Sequence, residues 1–252
     1  MQVRRVAILG AGAIGAFFVE RFSGVADIST MVVARGERYD RLKRLGLVVN
    51  GKAYAPRVVH PDAPSSPADL ILVALKHHHL PDGIHDIAQL VGERTTIVSA
   101  MNGLDSEEVI GSVYGVDKVL YGISVGIDAV RQENRITYTT GGQLYFGHAD
   151  NTDLSPRVRQ VQAALDRAGI VYETPADMIC ILWWKFMVNV GMNPASAVLR
   201  APYGTFQSSA DAQALMEALM REVLVLAGAA GVNIREKDID YLYAVLDTLS
   251  PQ

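Results

Sequence analysis

The 252-residue chain reads as an α/β domain followed by an all-helical one. Three observations predict this. Apolar runs of strand length recur through residues 1–175. The first run passes through a glycine-rich turn into a helical stretch. From Asp177 onward the pattern is helical throughout, which places a second domain at 176–252.

The totals narrow the function classes. Half of the residues are hydrophobic, enough for a substantial core, and 252 residues fit one large domain or two ordinary ones. A net charge of −4 without long basic runs argues against nucleic acid as a main partner. Cys180 is the single cysteine, so no intrachain disulfide forms and no oxidising compartment is required. The N-terminal apolar run is interrupted by glycines and by Glu20, which suits neither a signal peptide nor a membrane span. The expectation is a soluble, cytoplasmic protein.

Val6-Ala7-Ile8-Leu9 is a short strand stopping at Gly10. Gly10-Ala11-Gly12-Ala13-Ile14-Gly15 follows and opens a helix from Ala16. In such a turn Gly10 permits the sharp bend and Gly12 lets a pyrophosphate approach the backbone. Gly15 lets helix and strand sit close, and the helix N-terminus faces the phosphates. Strand, glycine turn and helix together predict a Rossmann dinucleotide-binding domain.

The second strand is expected at Ile28–Val33. NAD-selecting folds place an acid near its end to hold the ribose 2′-hydroxyl. Here Arg35 stands there, 20 residues after Gly15. A guanidinium matches a 2′-phosphate through a bidentate fork, so NADP(H) is favoured over NAD(H), with Glu37 as a nearby acid on the other side of the balance.

Asp69–Leu75 reads as a buried parallel strand ending at Lys76. His77-His78-His79 has no carboxylate or cysteine at ligand spacing and reads as a polar loop at a helix start, not a metal site. Thr95–Ala100 is the next strand, leading to Asn102-Gly103. Lys76 and Asn102 thus stand at strand carboxyl ends, where open α/β sheets meet ligands. Asn102 can serve the nicotinamide-side ribose or a substrate carbonyl. Strands are expected at Val119–Val125 and Gln143–Phe146, a hairpin turn at 131–134, an amphipathic helix at Leu154–Ala168 and a closing strand at 171–175.

The first helix of the helical part contains Trp184-Lys185-Phe186-Met187-Val188-Asn189-Val190-Gly191-Met192-Asn193-Pro194. Lys185, Asn189 and Asn193 lie four apart and share one face of a helix. Their neighbours are apolar, which predicts burial on the other sides. A lysine and two amides in such a row are costly unless they meet a polar ligand. Pro194 should kink this helix by removing a backbone donor. Helices are expected again at 211–230, stopped by Gly231, and at 236–249.

The set Gly10–Gly15, Arg35, Leu75-Lys76, Asn102-Gly103 and Lys185-x3-Asn189-x3-Asn193-Pro194 resembles the ketopantoate reductases (2-dehydropantoate 2-reductases), in the same order over nearly the whole chain. The resemblance implies a Rossmann domain and a helical domain like that of 6-phosphogluconate dehydrogenases. It implies NADPH-dependent reduction of 2-dehydropantoate to pantoate, a step toward pantothenate and coenzyme A. In that reading Lys185 is the general acid, Asn189 and Asn193 hold substrate, and Asn102 bridges cofactor and substrate. The turn Gly10, Ala11, Gly12, Ala13, Ile14 and Gly15 holds the cofactor, with Arg35 and Lys76 at its adenosine phosphate end.

Two departures accompany the resemblance. Family members usually continue beyond the point where this chain ends, with a serine that touches substrate and an acid near the site; no glutamate in 236–252 matches that acid, so the helical domain is expected to be truncated. Some members also carry an asparagine where this chain has Tyr203-Gly204, which leaves another 2-oxo acid open as substrate. A non-catalytic NADP(H)-sensing protein is the reading from a different class. A homodimer is compatible with the helical domain.

Overall fold

The computed structural model describes residues 2–246. The chain divides into two compact units, Met1–Met178 and Ile179–Gln252.

In the first unit β1 (Arg5–Leu9) leads through the glycine turn into α1 (Ala13–Ser23), then β2 (Ser29–Val33) and α2 (Gly36–Leu45). Three short strands follow, β3 (Leu47–Val49), β4 (Lys52–Tyr54) and β5 (Arg57–Val59), before β6 (Leu70–Val73). The short α3 (Leu80–Gly83) lies between two 3-10 segments and is followed by β7 (Thr96–Ser99), α4 (Ser106–Tyr114) and β8 (Val119–Ile127). β9 (Val130–Gln132) and β10 (Arg135–Thr137) form the hairpin, and β11 (Gly141–Gly147), α5 (Pro156–Arg167) and β12 (Tyr172–Glu173) complete the unit.

The main sheet runs β12-β11-β8-β7-β6-β1-β2-β5, parallel except where β8 meets β11. Its strands are apolar at successive positions because both faces are covered. Val6, Ile8, Leu70 and Leu72 pack on one side with Phe18, Phe22 and Val158. Ala7, Leu9, Ile71 and Val73 pack on the other with Ile84, Ile97 and Ile110. The side-chain period of two thus supplies two cores from one run of residues.

Register decides where ligands can go. Leu9 lies opposite both Val33 and Val73, and Val73 opposite Ser99. The carboxyl ends of β2, β1, β6 and β7 are therefore level. The chain leaves β1 toward β2 on one side and later returns to β6 on the other. That reversal opens the crevice at which open α/β sheets bind ligands.

A second sheet, β4-β3-β10-β9, joins the stretch after α2 to the hairpin. Three residues per strand is too short for alternation to register in sequence, so β3, β4 and β5 have no counterpart among the expected elements.

The second unit holds α6 (Met178–Leu199, whose first residue closes the first unit), α7 (Tyr203–Ser208), α8 (Ala210–Ala229) and α9 (Glu236–Leu246). The short α7 was not expected from the sequence. The expected extension of the last helix to 249 lies outside the described residues. Pro194 lies inside α6, which runs on to Leu199. α8 stops as expected: Gly231 has φ +73° and donates to the Gly228 carbonyl. The core of this unit gathers Met187, Met192, Phe206, Met216, Met220 and Leu242. Gly191 lets α6 approach α8 closely, since a Cβ there would stand 2.4 Å from the Met220 methyl.

Burial of α6 differs from expectation. Leu182, Met187, Met192 and Ala195 are buried, but Phe186, Val188 and Val190 are only half-buried and Val198 is exposed. Among the described residues, no helix is long and apolar enough to cross a membrane, and no group of metal-ligating side chains is present.

Candidate functional site

The glycine turn is built as its spacing requires. Gly10 has φ +97°, and a Cβ there would lie 2.6 Å from the Ala74 carbonyl oxygen, so the turn is pressed against the end of β6. A Cβ on Gly15 would lie 2.0 Å from the Gly10 carbonyl oxygen. Gly12 is the contrast: nothing stands within 4 Å of where its Cβ would be. Its missing side chain therefore leaves open space over the helix start. Gly12 is also the N-cap of α1 and offers no side-chain acceptor to the first turn. The amides of the first helical residues, including Ala13 and Ile14, have no intrahelical acceptor and suit a phosphate.

Two cavities adjoin this turn. One, of about 210 Å³, is lined by Gly10, Ala11, Ala34, Arg35, His79 and Asp86, among others. Apolar Leu9, Val33, Leu42 and Leu75 share its wall, a mix that fits an adenosine with a charged rim. The other, of about 270 Å³, is lined by Gly10–Gly12 and by Arg38, Arg41, Lys76 and Arg131. The first unit thus brings Gly10, Ala11, Gly12, Arg35 and Lys76 together around one crevice. Lys76 and the exposed Asn102 follow the level ends of β6 and β7. His77–His79 form a 3-10 turn after Lys76, in keeping with a polar loop at a helix start.

Arg35 does not stand alone. Its exposed side chain forms an ion pair with Asp86, whose carboxylate is largely buried on the 3-10 segment after α3. Burial raises the Asp86 pKa, while Arg35 pulls it back. The expected phosphate-binding guanidinium is thus already engaged by an acid in the same cavity.

The second unit carries the lysine row. Lys185 and Asn189 are half-buried on α6, and Asn193, one turn on, is exposed. Burial lowers the Lys185 pKa from its ordinary value of 10.5. A lysine in that condition is a stronger proton donor than a solvated one.

Four residues around the crevice had gone unassigned. Arg38 and Arg41 follow Arg35 at three-residue steps, a spacing that puts them along one side of α2, and that signal is present in the sequence. Asp86 and Arg131 gave no such signal. Each reaches the crevice only because a distant segment folds back onto it.

The model of the ketopantoate reductase PanE/ApbA family matches residues 6–151, and that of the ketopantoate reductase PanE/ApbA C-terminal domain matches 177–252. A Streptococcus pyogenes 2-dehydropantoate 2-reductase is 26% identical over 96% of this chain and 79% of its own length. One from Archaeoglobus fulgidus is 29% identical over 81% of this chain and 67% of its own. The crystal structure of 2-dehydropantoate 2-reductase from Geobacter metallireducens superimposes with a TM-score of 0.84, at 25% identity, over 98% of this chain and 84% of that one. A D-mandelate dehydrogenase solved with NADH and anilino(oxo)acetate gives a TM-score of 0.87 over 97% of this chain and 80% of that one; at 17% identity the likeness is one of fold.

Proposed function

Since the chain belongs to the ketopantoate reductase family, we propose that it reduces 2-dehydropantoate to pantoate with NADPH. Residues 1–175 bind the dinucleotide and 176–252 carry the proton donor. The observation that carries this reading is the conjunction of a glycine turn open over Gly12 with a lysine whose pKa burial lowers.

The dinucleotide, when bound, supplies a hydride to the substrate carbonyl carbon. The chain's own residues do the rest. The amides at the start of α1 hold the pyrophosphate. Arg35 and Lys76 answer the adenosine phosphate end, and Asn102 bridges cofactor and substrate. Asn189 and Asn193 hydrogen-bond the substrate. Lys185 delivers its Nζ proton to the carbonyl oxygen as charge develops there, and its ammonium stabilises that charge beforehand.

A steady-state assay with NADPH and 2-dehydropantoate tests the proposal. The wild type should turn over, and Lys185→Ala should lose roughly 10²–10⁴ in kcat while still binding NADPH. The wild-type kcat should fall at high pH as Lys185 loses its proton. The lowered pKa moves that limb below the ordinary lysine value of 10.5, and the variant should lack it. A Lys185→Ala enzyme with near-normal kcat and the same limb would assign the proton to another group. Turnover of a different 2-oxo acid in preference to 2-dehydropantoate would reassign the substrate.

A further inference from the structure

The β9–β10 hairpin projects a charged side chain onto the glycine turn, and the dinucleotide site as described above makes no use of it. Arg131, on β9, donates from Nη1 to the Ala11 carbonyl at 3.3 Å and from Nε to the Glu133 carbonyl at 2.7 Å. The first bond joins residues 120 positions apart in the chain. It spans from the second sheet to the middle of the Gly10–Gly12 turn.

Two features of the surroundings favour an anion. The 270 Å³ cavity beneath Arg131 is lined by Arg38, Arg41, Lys76, His78 and His79, and no carboxylate is among its described lining residues. The same cationic field lowers the pKa of His79, after desolvation, through His78, Arg38 and Lys76. Desolvation, Arg41 and Arg38 also lower that of Arg131 itself. Several cations so placed repel one another, and a phosphate among them would relieve that repulsion. The open space over Gly12 lies beside Ala11, to which Arg131 is bonded.

We propose that Arg131 is a phosphate latch: with the cofactor bound, its guanidinium contacts the pyrophosphate over the glycine turn, held in place by the Ala11 carbonyl. The proposal rests on the dinucleotide-binding reading and adds a residue to it. Contact with the pyrophosphate, and not with the 2′-phosphate, follows from position. Ala11 belongs to the pyrophosphate turn, whereas Arg35 stands at the end of β2.

The test is cofactor binding by fluorescence titration on the full chain, with thermal melting as a check on the fold. Arg131 is an exposed residue bonded, among the described residues, only to backbone carbonyls, so Arg131→Ala should melt only slightly below the wild type. It should weaken NADPH and NADH alike, by about tenfold, the loss of one charge-assisted contact at a partly solvated site. Arg131→Lys, which keeps the charge and loses the fork, should fall between. Adenosine 2′-monophosphate, which lacks a pyrophosphate, should compete equally well in wild type and variant. Unchanged affinity for both dinucleotides would overturn the latch. So would a loss confined to NADPH, or one that tracks a lowered melting temperature in both variants. A wild type that binds neither dinucleotide would instead overturn the underlying reading, and the latch with it.

Discussion

At the scale of single residues, the crevice turns on which charges face which. Arg35 pairs with Asp86, and the two share one cavity wall. In the proposed NADPH complex, the 2′-phosphate competes with that carboxylate for the guanidinium. Arg35→Ala should therefore weaken NADPH far more than NADH, by on the order of 1.5–3 kcal/mol for a charged hydrogen-bonding contact. Asp86→Asn keeps the shape and removes the competing charge. It should tighten NADPH several-fold and leave NADH nearly unchanged. Paired titrations of both cofactors measure both effects. Equal losses for the two cofactors in Arg35→Ala would remove Arg35 from the phosphate, and a weaker NADPH complex in Asp86→Asn would make Asp86 a support for Arg35, not a rival.

At the scale of elements, α6 carries core packing and the proposed chemistry on one rod. Met187, Met192 and Ala195 belong to the core of the second unit, and Lys185, Asn189 and Asn193 lie at four-residue steps along the same helix, with the buried Met192 directly beside the row. Packing of these core residues fixes the rotation of the helix and with it the orientation of the row, because a helix rotates about 100° per residue and cannot turn its rows independently. Replacing Asn189 or Asn193 by Ala should raise KM for 2-dehydropantoate and spare NADPH affinity. The exposed Asn193 should leave stability unchanged when replaced. If either variant merely melted earlier with normal kinetics, its amide would be structural. The glycine turn is the corresponding element of the first unit. Its geometry sets α1 against β1 so closely that Gly15 has no room for a methyl group.

At the scale of the whole protein, one contribution to the pH dependence of stability is expected from a buried acid that the proposed mechanism does not use. Glu107 is 4% exposed, accepts from the Ser106 hydroxyl at 2.8 Å and from the Gly122 amide at 3.3 Å, and burial raises its pKa above 4.5. An acid whose folded pKa is raised keeps its proton longer when folded. The unfolded chain loses its proton first as pH rises, so this group's contribution is greatest below 4.5 and declines as pH climbs through the folded value. Glu107→Gln keeps an acceptor and removes the titration. Its melting temperature should match the wild type in mild acid and exceed it at neutral pH. A wild-type advantage at neutral pH would show that the hydrogen bonds to the ionised carboxylate outweigh its desolvation.

Local pattern by itself determined much of this protein. The glycine turn, the strands that lead to Gly10, Lys76 and Asn102, and the four-residue row on α6 are each written in consecutive or near-consecutive residues. Their physics is local: φ at a glycine, the two-residue period of a strand, the 3.6-residue period of a helix. The family resemblance rested on the same segments. Tertiary structure alone decided the rest. Asp86 meets Arg35 across a separation of 51 positions, and Arg131 meets Ala11 across 120. The three-residue strands that carry the hairpin to the turn are too short to announce themselves. Long-range contacts of this kind depend on how the sheets fold back, and no spacing along the chain encodes which distant charge will arrive.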